Sequence, residues 1–162
     1  MFVESSPSKT EFFLLGLSSF LITHILYSVA FFKFPSKLKS FIQQKPILVL
    51  PFLFFFILNS TFLWPGIPSA MKVPVLLYSL AIMTMGVTAL NLKNKISSEA
   101  FKFIFIGALL FMFSDSLIGI NKFRGTDFAI PLIRIWIMST YILGQYLIAK
   151  GGILAIKEMG KD

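Results

Sequence analysis

Asp115 is the residue with which any chemistry would begin. It is the one acidic side chain inside a long uncharged run, in GALLFMFSDSLIGINKF, residues 107–123. An ionisable group in apolar surroundings costs several kcal/mol unless something partners it, so its presence asks for a reason. It could be a packing carboxylate held by a neighbouring hydroxyl. It could equally be a group that delivers a proton to a substrate or carries one through the protein.

The other polar groups in apolar runs are few. His24 is followed at i+3 by Tyr27 on the same helical face. It reads either as one end of an interhelical hydrogen bond or as a proton shuttle. Asn59 and Tyr78 fall at about the depth of Asp115, and Tyr141 and Gln145 form an i,i+4 pair on one face. Each of these also serves to glue helices together. As a set they supply enough donors and acceptors for a polar pocket around one carboxylate. Arg134 suits a headgroup region: it can snorkel, bind a lipid phosphate, or pair with Asp115.

Several chemistries are excluded. With no cysteine, thiolate metal sites, disulfides and cysteine nucleophiles are absent. One histidine cannot build a multi-histidine zinc or di-iron centre. There is no GxSxG elbow, no P-loop and no HExxH. A serine relay would use Ser114 beside Asp115, but adjacent helical residues point about 100° apart.

The elements that position these groups follow from composition. Hydrophobic residues make up 56 %, charged residues 14 %, and the mean hydropathy is +0.83. A water-soluble domain carries roughly 25 % charged residues. Twenty phenylalanines in 162 residues need lipid to cover them. The fold class is therefore all-α, a polytopic transmembrane bundle of about five spans: 12–32, 47–64, 73–90, 101–120 and 131–149. Between them lie segments rich in Pro, Gly, Asn or charge. Pro46, Pro74 and Pro131 suit helix starts, and Pro51 is expected to bend the second span. Residues 1–11 read as an extracytoplasmic tail, 12–149 as a single membrane domain and 150–162 as a basic cytoplasmic tail. No cleavable signal peptide is expected.

The net charge of +8 does not point to nucleic acid, because the basic residues lie between apolar runs. Lys33, Lys37, Lys39, Lys45, Lys93, Lys95, Lys102, Lys150, Lys157 and Lys161 fall on one side. Lys9, Lys72, Lys122, Arg124 and Arg134 fall on the other. The positive-inside rule then puts the C-terminus in the cytoplasm, of a bacterial inner membrane or an endoplasmic reticulum alike.

Residues 107–123 also resemble the signature segment of the YhhN family of membrane lysoplasmalogenases. GLSSFLITHILYSVAF (16–31), VPVLLYSLAIMTMGVTAL (73–90) and MSTYILGQYLIAKG (138–151) are similar to further helices of that family. The resemblance covers nearly the whole chain from residue 12. It implies hydrolysis of the vinyl ether bond of lysoplasmalogens, giving a fatty aldehyde and a glycerophospho-base, with no cofactor. It makes Asp115 the leading catalytic candidate and places His24, Tyr78, Asn121, Tyr141 and Gln145 at matching motif positions. Family members commonly have about eight spans, one of the earlier ones carrying a Gly-Asp motif. Nothing in residues 1–11 corresponds to it, so the chain looks like the last five spans of such a protein and reads as a truncated and inactive form, a fragment or a shortened paralogue.

Vinyl ethers hydrolyse by protonation at the β-carbon, and one acid suffices to begin that reaction. The partner implied is a lysophospholipid in the membrane, with a second copy of the chain as a further one. The competing reading is a non-enzymatic small transporter or helical partner subunit in which Asp115 is a polar or ion site.

Overall fold

The computed structural model describes residues 7–35, 41–125 and 130–160, with side chains from residue 11 onward in the first segment. Every regular element among them is helical. The elements are α1 (Pro7–Phe32), α2 (Phe41–Gln44), α3 (Leu50–Leu63), α4 (Lys72–Leu90), α5 (Ser98–Phe123) and α6 (Ile133–Met159). Of the residues counted for orientation, Lys37, Lys39, Lys161 and the Lys9 side chain lie outside the described residues.

Four stretches are long and apolar enough to cross a membrane: Glu11–Phe32, Pro46–Gly66, Ser69–Leu90 and Ser98–Phe123. The chain is thus an integral membrane protein with an all-helical bundle. The expected fifth span differs. It is the longest helix, 27 residues, and it starts after Pro131 and continues to Met159, well past residue 149. Arg134, Gln145 and Lys150 make α6 too polar to qualify by composition. A helix of this kind is carried by its neighbours, and α6 lies along α5 for much of its length.

The α5–α6 contact is made possible by small residues. A Cβ on Gly107 would stand 2.7 Å from the Gly144 carbonyl oxygen, and one on Gly151 2.8 Å from that of Ala100. Backbones that close leave no room for side chains at the seam. On the other side of the bundle α1 packs on α4, which touches both α3 and α5. The core lies where these meet, around Met85, Ala89, Ala108 and Phe111, all fully buried.

Local starts follow their chemistry. The Ser97 side chain accepts the Ala100 N–H at 3.2 Å and caps α5, with Glu99 in the first turn. Pro51 does not bend a continuous span. Residues Pro46–Val49 form a 3₁₀ turn, and Pro51 sits in the first turn of α3, where its missing N–H removes no helical bond. The two ends of the bundle are each tied. At one, Lys95 Nζ donates to the Phe32 carbonyl at 3.2 Å and the Ile42 N–H to Asn91 Oδ1 at 3.1 Å. At the other, the Phe13 and Phe123 rings meet edge to face at 5.9 Å.

Candidate functional site

Asp115 projects from α5 into the bundle and meets His24 of α1. Nε2 of His24 stands 2.9 Å from Oδ2 of Asp115, and neither side chain has any exposed surface. The Tyr78 hydroxyl, from α4, is the other polar group against the carboxyl. These are close contacts of poor direction, since neither carboxylate oxygen has a well-angled hydrogen bond. The other ring nitrogen, Nδ1, faces the Phe20 carbonyl one turn earlier in α1. That contact orients the imidazole toward α5, as a second hydrogen bond to a histidine does in general.

Aromatic rings fix the histidine from the remaining directions. The ring centroids of His24 and Phe111 are 4.8 Å apart, and those of His24 and Tyr78 5.4 Å, both edge to face. His24 is therefore enclosed, and is separated from the cavity by Asp115, Tyr78 and Phe20.

The cavity holds about 230 Å³. Its polar groups are Asn59, Tyr78, Ser79 and Asp115; the rest of the wall is apolar, with Phe13, Phe20, Leu63 and Ile118 prominent. Asp115 lies at its deep end. Phe13 and Phe123, which meet at the end of the bundle, lie at the other. An apolar slot with a few convergent polar groups is the ordinary form of a small-molecule site.

The sequence candidates divide into three groups. Asp115, Tyr78 and Asn59 line the cavity together, while the Asp115 carboxyl itself is fully covered and packs against His24 at the wall. Gln145 and Tyr141 form a separate cluster: Tyr27 donates to Gln145 Oε1 at 2.6 Å, and the Tyr141 ring packs on Phe111 at 5.3 Å and Phe20 at 5.6 Å. They lie one layer away and bind α6 to α1. Arg134 and Asn121 are exposed and do not line the cavity. The partner of Asp115 is His24, not Arg134.

Ser114 is fully buried and donates to the Ile137 carbonyl of α6 at 3.1 Å, so it faces away from the carboxyl and forms no relay. Ser79 lines the cavity and was not among the candidates. A second hydroxyl beside Tyr78 in an apolar span was the available signal. No three His, Asp or Glu side chains group as a metal site among the described residues.

Comparison with known proteins agrees with the resemblance read above. Residues 2–152 match the model of the YhhN family. The chain is similar to the lysoplasmalogenase TMEM86A of Bos taurus, 32 % identical over 146 residues. The human protein of the same name is 29 % identical over 146 residues. Each alignment takes in 88 % of this chain and 56 % of the relative, so the chain spans about half the length of the curated relatives it matches. No solved structure matches it. With a family match over almost its whole length and an all-helical membrane bundle to go with it, the chain belongs to the YhhN family.

Proposed function

We propose that this chain carries the acid side of a lysoplasmalogenase-like site that cleaves the vinyl ether bond of a lysoplasmalogen. The observation that supports this reading most is the buried His24–Asp115 pair at the deep end of an apolar cavity. The substrate combines a long alkenyl chain with one polarised C=C–O unit. A slot with apolar walls and a carboxyl group packed at its wall suits both parts, the carboxyl turning toward the slot when substrate enters.

In the reaction, Asp115 in its acid form donates its proton to the β-carbon of the vinyl ether. The C=C electron pair forms the new C–H bond, and the α-carbon and ether oxygen share the positive charge as an oxocarbenium ion. The carboxylate left behind stands beside that charge and stabilises it. Water adds to the α-carbon and gives up a proton to the carboxylate, restoring the acid. The hemiacetal then collapses to a fatty aldehyde and the glycerol hydroxyl. Sum and charge balance with one water consumed.

His24 does not touch the substrate in this scheme and is a positioning residue. Its Nε2 holds the carboxyl in place and compensates the negative charge during the cycle. Asn59 and Tyr78 are the groups able to orient the water. The matched stretch is 56 % of each relative, and the remainder is where a second carboxylate would come from.

A transporter with Asp115 as its ion site is the alternative. Ion sites in membranes gather a ring of oxygens or a polar path. The walls here are apolar apart from four side chains, which favours a lipid chain.

The deciding experiment is Asp115→Asn, in the chain and in its full-length form if longer, with aldehyde release from lysoplasmenyl lipid as readout. Asn keeps shape and hydrogen bonds but cannot protonate carbon. General acid catalysis contributes about 10²–10⁴ in rate, and a loss at the upper end is expected. Unchanged turnover would remove Asp115 from the chemistry.

A further inference from the structure

Lys122 lies seven residues after Asp115 in the same helix. Seven residues are almost two turns, so the two side chains leave α5 on nearly the same side, about 10.5 Å apart along the axis. The Lys122 ammonium is held 4.8 Å from the centroid of the Phe13 ring. Phe13 lines the cavity, and its ring meets Phe123, which lines it too. Lys122 thus sits over the end of the cavity opposite the carboxyl, exposed to the surroundings but tied to its rim.

The geometry points to Lys122 as the anchor for the phosphodiester of a lysophospholipid whose vinyl ether reaches Asp115, a role that rests on the function proposed above. From the β-carbon of the vinyl ether to the phosphorus there are seven bonds. At about 1.25 Å of projected length per bond the extended span is about 9 Å. That matches the rise between the two residues, with the flexible lysine side chain taking up the difference. A shorter interval would put the cation beside the reacting carbons, and a longer one would leave the phosphate out of reach.

Charge at this end of the bundle favours an anion. Lys72 Nζ sits 4.5 Å from the Trp64 ring centroid and the Arg124 guanidinium 5.3 Å from that of Phe62. Among the described residues Glu11 is the acid nearest this end in α1. Lys122 differs from the other two cations in resting on a ring of the cavity wall itself. The cavity also has an opening on its α1 flank, at the Phe13 end. Nothing would lie within 4 Å of a Cβ on Gly16, and Phe12 beside it is 73 % exposed, so the cavity's α1 flank is open toward lipid.

The test separates headgroup recognition from catalysis by using ligands that cannot be cleaved. In an uncharged maltoside detergent, the purified chain is titrated with 1-O-hexadecyl-glycero-phosphoethanolamine and with 1-O-hexadecylglycerol, which lacks the phosphate. The wild type should prefer the phosphate ligand, by roughly 10- to 100-fold, as expected for a charge-assisted contact. Lys122→Gln should lose that preference while binding hexadecylglycerol as before, and Lys122→Arg should keep it. Lys72→Gln, a cation at the same end but off the cavity wall, should leave it intact. Asp115→Asn should bind both ligands normally, so a failure of the catalytic reading would not disturb this result. Retained preference in Lys122→Gln, an equal loss in Lys72→Gln, or no preference in the wild type would each overturn the assignment.

Discussion

Nε2 of His24 and Oδ2 of Asp115 stand 2.9 Å apart in a place where neither side chain reaches the surface. Removing one member of such a pair strands the other in apolar surroundings. His24→Leu should cost about 1–3 kcal/mol of stability, the cost of a buried polar group left unsatisfied, whereas replacing both by leucine should cost less. Unfolding of the single and double variants in detergent gives the coupling. Additive losses would mean that the two residues act separately.

The same pair predicts a kinetic signature. His24→Gln keeps a hydrogen-bonding group of similar reach but cannot carry a positive charge. If His24 positions the acid, aldehyde release should fall chiefly in kcat with KM little changed, and the pH profile should shift. Equal changes in kcat and KM with an unmoved profile would indicate that His24 matters for packing alone.

Gly16 offers a substitution that fills the cavity without a clash. A leucine there has open space around its Cβ and relieves the helix of a glycine, a gain of about 0.5–1 kcal/mol. Gly16→Leu should therefore melt no lower than the wild type while losing most binding of long-chain ether lipid. Undiminished binding would place the chain elsewhere.

The α5–α6 seam should tolerate nothing larger than glycine at its centre. A Cβ on Gly144 would lie 2.9 Å from the Gly107 carbonyl oxygen, so Gly144→Ala should destabilise by about 1–3 kcal/mol. Gly152, in the same helix but with nothing within 4 Å, should gain slightly from the same change. Thermal unfolding of the two variants side by side checks the contrast.

Tyr27 and Gln145 tie α1 to α6 through a 2.6 Å hydrogen bond. Tyr27→Phe should cost about 1 kcal/mol, as should Gln145→Leu, and the double variant little more than either. Independent, additive effects would show that the bond contributes nothing.

Much of this architecture is legible from residue types because lipid imposes a simple rule. Every buried backbone group must be bonded within its own helix, so a long apolar run has one structure open to it. The four apolar stretches follow directly, as does the loop chemistry of Pro, Asn and Lys between them. The limits of α6 do not. Its Arg134, Gln145 and Lys150 dilute the apolar signal, and contact with α5 and α1, invisible along the chain, supplies what composition lacks.

The candidate site divides in the same way. Asp115 stands out by type alone, since a carboxyl in an apolar run is costly wherever its helix turns. That Ser114 faces away follows from 100° per residue and is seen in its bond to Ile137. Which polar groups meet Asp115 depends on the rotation and tilt of separate helices, and these are set by packing at places such as Gly107 and Gly144. So His24 joins the carboxyl, Tyr78 and Asn59 face the cavity, Tyr141 and Gln145 serve the α1–α6 contact, and Arg134 and Asn121 stay outside. Residue types alone specify a helical membrane protein with one costly acid. Only the packing of helices against each other determines the histidine beside that acid and the cavity before it, because a helix of given sequence can present any of its faces until its neighbours select one.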